Sequence, residues 1–371
     1  MLVSHGVDYD GGAEFVFNES LRCLRGTAPG RRLIAVYPGD GPLARDGAAV
    51  ADEIVVAWVP RWAYFGRLSP RDRAITWWHL FRATAQAVRL LLRVRPEVVA
   101  SNTMTIPAHA FAAALLRVPH HWMVQEFGRA DHGLSFLAGY ERTQRTIAAL
   151  SDSVVCCSQA VANEVRSVAP RAVCRVVHYA VESPVGLPQE RRRDLPLRAA
   201  LVGRYAEGKG QHLAIRAVAE ARTQGIDVHL RLVGPGDPGP LVALAEQLAV
   251  TDLVTLVGHT DEVFEEWRRA DVALMCSRAE AFGRVTVEAM RAGLPVCGIR
   301  SGGTVELIKK DYNGLLSEPD DAQALGANLV LLAHDESYRR QLAHGASQFA
   351  AGFTATRYGE ELASALLTRR S

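Results

Sequence analysis

Residues 198–222 read Arg-Ala-Ala-Leu-Val-Gly-Arg-Tyr-Ala-Glu-Gly-Lys-Gly-Gln-His-Leu-Ala-Ile-Arg-Ala-Val-Ala-Glu-Ala-Arg. A short apolar run, Arg198–Val202, predicts a strand. Gly203–Gly210 is a glycine-rich loop, and the amphipathic stretch Gln211–Arg222 predicts a helix. Glycines let the backbone turn tightly and approach a ligand. Arg204 offers a planar fork of donors and Lys209 a point charge. Together they suit a diphosphate, both bound and as a leaving group. The plainer alternative is an ordinary strand-to-helix loop with two solvated cations. Of 42 basic residues, however, only Lys209, Lys309 and Lys310 are lysine. A lysine inside a glycine-rich turn therefore weighs toward function.

The same strand–helix unit recurs in both directions. Downstream, strands are expected at Asp227–Gly234, Val254–Gly258, Val272–Cys276 and Pro295–Ile299. Helices are expected at Leu241–Leu248, Val263–Arg269 and Val285–Ala292, then near Ala322–Ala333, Glu336–Phe349 and Thr356–Leu367. Upstream, the apolar runs Arg32–Tyr37, Glu53–Trp58, Glu97–Ser101, Trp122–Gln125, Ser153–Cys157 and Cys174–Val177 alternate with the helical stretches Phe15–Leu24, Ala74–Val94, Pro107–Leu116, Tyr140–Leu150 and Ala160–Val168. This alternation predicts an α/β chain built on mainly parallel sheets. The stretch 183–196 is rich in proline and charge and lacks apolar periodicity, so it reads as a linker. It divides a first lobe, 1–182, from a second, 197–352, with a last helix in 353–371. Two such lobes predict a ligand in the cleft between them, near the C-terminal ends of the strands.

Composition bounds the rest. The 371 residues, 49% apolar and 22% charged, suffice for two cores. A net charge of +2 argues against a nucleic-acid partner. No run of 18 apolar residues occurs, and residues 1–12 lack the order of a secretory signal. The six cysteines include no Cys-x-x-Cys and mostly lie in apolar runs; buried reduced thiols fit a cytoplasmic location.

Two further motifs carry chemistry. Glu280-Ala-Phe-Gly-Arg-Val-Thr-Val-Glu288 follows a predicted strand and opens a helix. Glu280 is expected in the loop and Glu288 in the first turns, where carboxylates can accept hydrogen bonds from vicinal sugar hydroxyls. The amides of Ala281, Phe282, Gly283, Arg284 and Val285 lie at the helix start, which favours an anionic or hydroxyl-rich ligand. By spacing alone, two glutamates eight apart are a chance pattern. Gly11-Gly12-Ala13-Glu14 is a second glycine-bearing turn between the predicted strand Leu2–His5 and a helix.

In order and spacing these motifs resemble the retaining glycosyltransferases of family GT4, the glycogen-synthase-like and mannosyltransferase-like group with the two-lobed GT-B fold. Leu232-Val-Gly234-Pro-Gly236, Ala270-Asp-Val272, Glu288-Ala-Met-Arg-Ala-Gly-Leu-Pro-Val296, Ser301-Gly-Gly-Thr-Val-Glu306 and Asn313-Gly-Leu-Leu316 continue the likeness over nearly the whole chain. The resemblance implies a nucleotide-sugar donor, UDP- or GDP-linked, a hexose-type sugar and a hydroxyl acceptor. It implies front-face attack with retention, and no cofactor or metal. Arg204 and Lys209 would hold the diphosphate, with amides from Gly11, Gly12 and Gly203. Glu288 would hold the ribose; Glu280, Phe282 and Gly283 would meet the transferred sugar. Gly234, Gly258 and His259 complete the donor side, with the base against the backbone near Gly258 and His259. One departure stands out: where many relatives carry a histidine after a first-lobe strand, this chain has Gln125, with Glu126 beside it. Gln125 can hydrogen-bond a sugar hydroxyl but cannot titrate. Asn102, Gln125, Glu126 and His132 are the acceptor-side candidates; His121 and His132 read as loop residues.

Rival readings are an NAD-dependent oxidoreductase, from Gly234-Pro-Gly-Asp-Pro-Gly239, and an inactive binding protein of the same fold. The dinucleotide motif belongs after a lobe's first strand, whereas here it follows the second. Asp8-Tyr9-Asp10, a formal metal-binding Asp-x-Asp, reads as a loop with chance acids. Trp77, Trp78, Phe81, Val88, Leu91 and Leu92, with arginines interspersed, fit either a membrane-surface helix or a helix packed in the first lobe; packing is the expectation. Trp58, Trp62, Tyr64 and Phe65 could stack on a ligand or pack. The oligomeric state is not readable.

Overall fold

The protein is described here by a computed structural model covering residues 1–9, 11–185 and 196–367. It divides into two compact units, one of Met1–Ala180 with Thr354–Ser371, the other of Val181–Phe353. Most of the linker expected over 183–196 lies outside the described residues, as does Asp10.

Among the described residues, the second unit carries a six-stranded sheet in which every pairing is parallel. Its spatial order is Val254–Gly258, Val228–Val233, Leu197–Val202, Val272–Met275, Val296–Ile299, Gly314–Ser317. In chain order this is 3-2-1-4-5-6, the doubly wound arrangement. The strands are apolar nearly throughout because helices cover both faces. Leu230, Leu232, Val272, Leu274 and Ile299 are fully or almost fully buried; each such side chain contributes about 1.5–3 kcal/mol. The helix Gln211–Thr223 buries Leu213, Ala214, Ala217, Val218 and Ala221 and packs on the helix Ala322–His334. The strand Gly314–Ser317 was not expected. Its four residues include no β-branched side chain, so no strand signal stands out against the loop around it.

Asp271 ties the starts of the two central strands together. Its carboxylate accepts the Arg198 backbone N–H (2.9 Å) and, bidentately, the guanidinium (3.0 and 2.8 Å), while its own N–H donates to the Arg198 carbonyl (2.7 Å). This is the physical role of the Ala-Asp-Val motif.

Among the described residues, the first unit carries a seven-stranded sheet, also all parallel. Its order is Glu53–Val56, Ile34–Tyr37, Leu2–Val3, Val99–Asn102, His120–Val124, Ser153–Cys156, Cys174–Val176. A two-stranded antiparallel pair, Ala63–Tyr64 with Ser135–Phe136, lies outside it. The helix Ala355–Leu367 packs on Gly12–Thr27, where Ser20 Oγ and Tyr358 Oη hydrogen-bond at 2.6 Å. His121, read as a loop residue, stands instead in a strand, buried against Ser153 Oγ at 2.8 Å. All six cysteines are free thiols, buried except for the half-buried Cys174.

The helix Pro70–Val94 packs within the first unit, as expected, but not through its aromatic residues. Ser69 caps it, accepting the Asp72 N–H at 3.1 Å, with proline in the first turn. It buries Leu80, Ala83, Ala87, Leu90 and Leu91, a stripe that packs on Ala108–Leu116. Val88 is half-buried. Trp77, Trp78, Phe81 and Leu92, expected to pack inward, are exposed, because leucine and alanine alone fill the inner face. Of the loop aromatics, Trp62 is buried, Tyr64 half-buried, and Trp58 and Phe65 exposed.

Asp271→Ala should lower the unfolding free energy by about 2–4 kcal/mol, because it removes a buried carboxylate that grips a guanidinium bidentately and leaves the Arg198 amide without its acceptor. Urea unfolding measures this. A loss below about 1 kcal/mol would show that the strands hold without the carboxylate.

Candidate active site

In a 3-2-1-4 order, the loops after strands one and four leave the sheet in opposite directions, and the opening between them is where ligands bind. In the second unit those loops are 203–210 and 276–283. They are held together tightly. Arg278 N–H donates to the Gly208 carbonyl at 3.0 Å, and Ser277 Oγ donates to the same oxygen at 3.2 Å. Gly210 has φ +73°, and a Cβ there would stand 2.1 Å from the Cys276 carbonyl oxygen. Only glycine allows both that dihedral and that approach. Across this seam Lys209 Nζ meets Glu280 Oε2 at 2.8 Å. The glutamate side chain is 15% exposed and the lysine 41%, so the lysine is only partly covered.

The remaining donor-side candidates gather around the same seam. Gln211 Nε2 donates to the carbonyls of Gly203 (3.2 Å) and Arg204 (2.9 Å), shaping the loop's first turn. Arg204 is exposed. Tyr205 Oη donates to Leu232 O at 2.6 Å and accepts from the Gly258 N–H at 3.1 Å, while Gly234 N–H donates to Gly258 O at 2.8 Å. Gly203, Gly234 and Gly258 are thus brought together at the ends of three adjacent strands. His259 is exposed, beside Asp261. Ala281 and Phe282 are buried, Phe282 against Phe353. Gly283 caps the helix Arg284–Arg291. Val285 is half-buried; Glu288, also half-buried, stands one turn beyond Arg284 on the same face. Gly302 (φ +51°) lies under Glu280: a Cβ there would sit 2.3 Å from the Glu280 carbonyl, which accepts the Gly303 N–H at 2.7 Å. The Ser-Gly-Gly-Thr stretch is therefore the floor beneath Glu280.

The first unit has its own strand-order reversal, between Leu2–Val3 and Val99–Asn102. His5 Nε2 lies 2.9 Å from Glu14 Oε1, both side chains about nine-tenths buried. Burial raises the Glu14 pKa, but the hydrogen bond and charge of His5, helped by a backbone amide and Arg61, outweigh it and hold the carboxyl below its ordinary value. Asn102 Nδ2 donates to Ala13 O at 3.0 Å, and Gln125 hydrogen-bonds the Asn102 side-chain oxygen. Gly11 caps the helix Gly12–Thr27. Glu126 faces inward: its carboxyl accepts the N–H groups of Met104 (2.7 Å) and Gln125 (3.2 Å). Burial pushes its pKa up to about 8, with Asp131 and Glu14 adding to the rise. His132 is exposed. Thr103, next to Asn102, has φ +68°, a strained value for a β-branched residue. Trp122 Nε1 donates to its carbonyl at 2.6 Å and Trp62 Nε1 to that of Met104 at 2.7 Å. The two indoles stack 5.6 Å apart, 7° from parallel. The stacked indoles and the Glu126 carboxyl together hold the strained turn that follows Asn102.

Residues 11–183 match the family model described as Glycosyltransferase Family 4, and residues 188–349 the one described as Glycosyl transferases group 1. The chain belongs to the family 4-type glycosyltransferases. Its two α/β units are those of the GT-B fold: the Anabaena HepE structure in complex with UDP matches with a TM-score of 0.76 at 20% identity, covering 98% of each chain. The lipopolysaccharide core biosynthesis glycosyltransferase LpsE of Rhizobium meliloti is 31% identical over 198 residues, 52% of this chain and 57% of that protein. The D-inositol 3-phosphate glycosyltransferase of Acidothermus cellulolyticus is 29% identical over 345 residues, 73% of this chain and 77% of that protein. The match thus spans little more than half the length of LpsE.

Family membership sets aside the oxidoreductase reading of Gly234–Gly239. In this glycosyltransferase-type unit Gly234 and Gly236 allow close packing: a Cβ would stand 2.3 Å from the Gly203 carbonyl oxygen at the first and 2.6 Å from Tyr205 Cβ at the second. His5 is the site residue that sequence reasoning missed. The usable signal was a titratable residue closing the first predicted strand, where the strand order reverses.

Between about pH 4.5, the ordinary value, and about 8, folded Glu126 keeps a proton that the unfolded chain has lost. Stability therefore falls as pH rises through that window. His109 and His120, whose pKa values burial lowers to about 4 and about 3, act oppositely, but only below their ordinary 6.5. The buried Met1 amino group, its pKa lowered from 8.0 to about 5, also acts oppositely, up to about pH 8, so the test is a difference: from pH 6.5 to 8 the melting temperature of the wild type should fall relative to that of Glu126→Gln. Parallel curves would overturn the protonated assignment.

Proposed function

We propose that this chain transfers a hexose-type sugar from a nucleotide sugar to a hydroxyl acceptor with retention of configuration and without a divalent metal. The observation that carries this reading is the Lys209–Glu280 pair across the strand-order reversal of the second unit. Lys209 is half-buried and Arg204 exposed, and both stand on the glycine-rich loop that opens that unit. On a donor diphosphate they offset charge as the bond between the anomeric carbon and the phosphate oxygen breaks. The acceptor oxygen forms the new bond on the same face, and the departing phosphate oxygen takes its proton. Glu280 holds Lys209 in place and contacts the transferred sugar; Glu288 holds the ribose hydroxyls. Gly11 and Gly12 offer amides to the phosphates, and Asn102 and Gln125 offer polar groups to the acceptor.

HepE has been solved in complex with UDP and with UDP-glucose, which supports a UDP-linked donor here. The named activities of LpsE and the inositol phosphate enzyme support a hydroxyl acceptor. The first experiment is a thermal-shift panel of UDP-, GDP- and dTDP-sugars, followed by turnover with the donor that stabilises. Lys209→Ala or Arg204→Ala should lower kcat about 10²-fold or more, the usual cost of removing one preorganised charge-stabilising donor. Glu288→Ala should chiefly weaken nucleotide binding. Near-wild-type turnover in the cation variants would overturn their roles. Failure of the wild type to hydrolyse or transfer from any donor would favour a binding protein of this fold. Loss of activity in EDTA, restored by magnesium or manganese, would overturn metal independence.

A further inference from the structure

We infer that the outer face of the helix Pro70–Val94 docks the first unit on an anionic lipid surface. The helix has 25 residues, about 37 Å at 1.5 Å per residue. No described helix is long and apolar enough to cross a membrane, so this one would lie along the surface. Opposite its buried leucine–alanine stripe, Arg71, Trp78, Arg82, Ala85, Arg89 and Leu92 recur at helical spacing on a single face. Phe81 stacks beside Trp78, ring centroids 5.8 Å apart. Trp78 is 58% exposed, Phe81 65% and Leu92 57%. So much apolar surface on one helix face marks an interaction site.

Charge selects the occupant. The helix carries five arginines and one acid, Asp72. Asp72 is engaged by the Ser69 hydroxyl, Arg93 lies 3.5 Å from Glu53, and Arg73 donates to the Leu137 carbonyl. Arg71, Arg82 and Arg89 are exposed and bond to no described residue. In a two-fold dimer through this face, the arginine row would oppose a copy of itself. An anionic bilayer meets both requirements together: indole and phenyl rings enter the headgroup boundary while guanidinium groups pair with lipid phosphates. This inference does not depend on the proposed transferase activity.

The full chain, without donor, is co-sedimented with vesicles of phosphatidylcholine alone and of phosphatidylcholine containing phosphatidylglycerol. Binding should require phosphatidylglycerol and fall steeply as salt rises from about 0.1 M to about 1 M. Arg82→Ala with Arg89→Ala should weaken partitioning about thirtyfold, at roughly fivefold per cation near the surface. Trp78→Ser with Phe81→Ser should weaken it as well. All four side chains are exposed, so melting temperatures should stay at the wild-type value. Absence of binding, equal binding to neutral vesicles, or unaltered binding by both double variants would overturn the inference. So would a wild-type dimer in solution that Trp78→Ser with Phe81→Ser converts to monomer.

Discussion

A parallel sheet whose strand order reverses beside its first strand leaves two loops diverging above a gap, and nothing in regular secondary structure fills it. In the second unit that gap is closed below by backbone contact and above by one ion pair. Gly210 lies against the Cys276 carbonyl, and Gly208 O accepts from Arg278 and Ser277. Lys209 then reaches Glu280 at 2.8 Å. The seam is rigid because it is made mostly of main chain, and the two charges stand on its rim. A half-buried lysine held by one carboxylate needs little rearrangement to meet an anion. Asp271 secures the other end of the same two strands, so the loops diverge from a fixed base.

The first unit solves the same geometrical problem with different means. Its loop at the reversal is held in a strained conformation by burial and hydrogen bonds. Thr103 is kept in a left-handed conformation by the indole N–H groups of Trp122 and Trp62 and by a buried Glu126 carboxyl. Such a conformation costs on the order of 1–3 kcal/mol and persists only where its surroundings over-determine it. The result is a fixed polar row of His5, Glu14, Asn102 and Gln125 at the strand ends. The helix Pro70–Val94 shows the complementary principle. Its inner face is satisfied by leucine and alanine, which leaves its aromatic residues free to serve a surface.

Much of this was legible along the chain because the signals are local. Alternating β-branched runs and amphipathic stretches mark strands and helices wherever they occur, and glycine-rich turns mark close backbone approach. Gly203–Gly210 and Glu280–Glu288 therefore stand out along the chain as candidate ligand loops. The strand Gly314–Ser317 was illegible, as Gly-Leu-Leu-Ser has no β-branched side chain to mark it. His5 was missed because its importance lies in where the first strand ends relative to the fourth. Glu126 could be seen as a carboxyl near a strand end, but its inward turn depends on the amides of Met104 and Gln125 that donate to it.

The sequence by itself determined the class of the fold, the order of its elements and the loops that carry chemistry, because propensity, periodicity and turn chemistry act over a few residues. Only the tertiary structure decided which loops meet: that Lys209 pairs with Glu280 some seventy residues away, that Glu126 is buried and that Trp78 and Phe81 are exposed. Those outcomes depend on strand order and on which helix face the core needs. Both are set by packing among distant segments, and no local pattern records them.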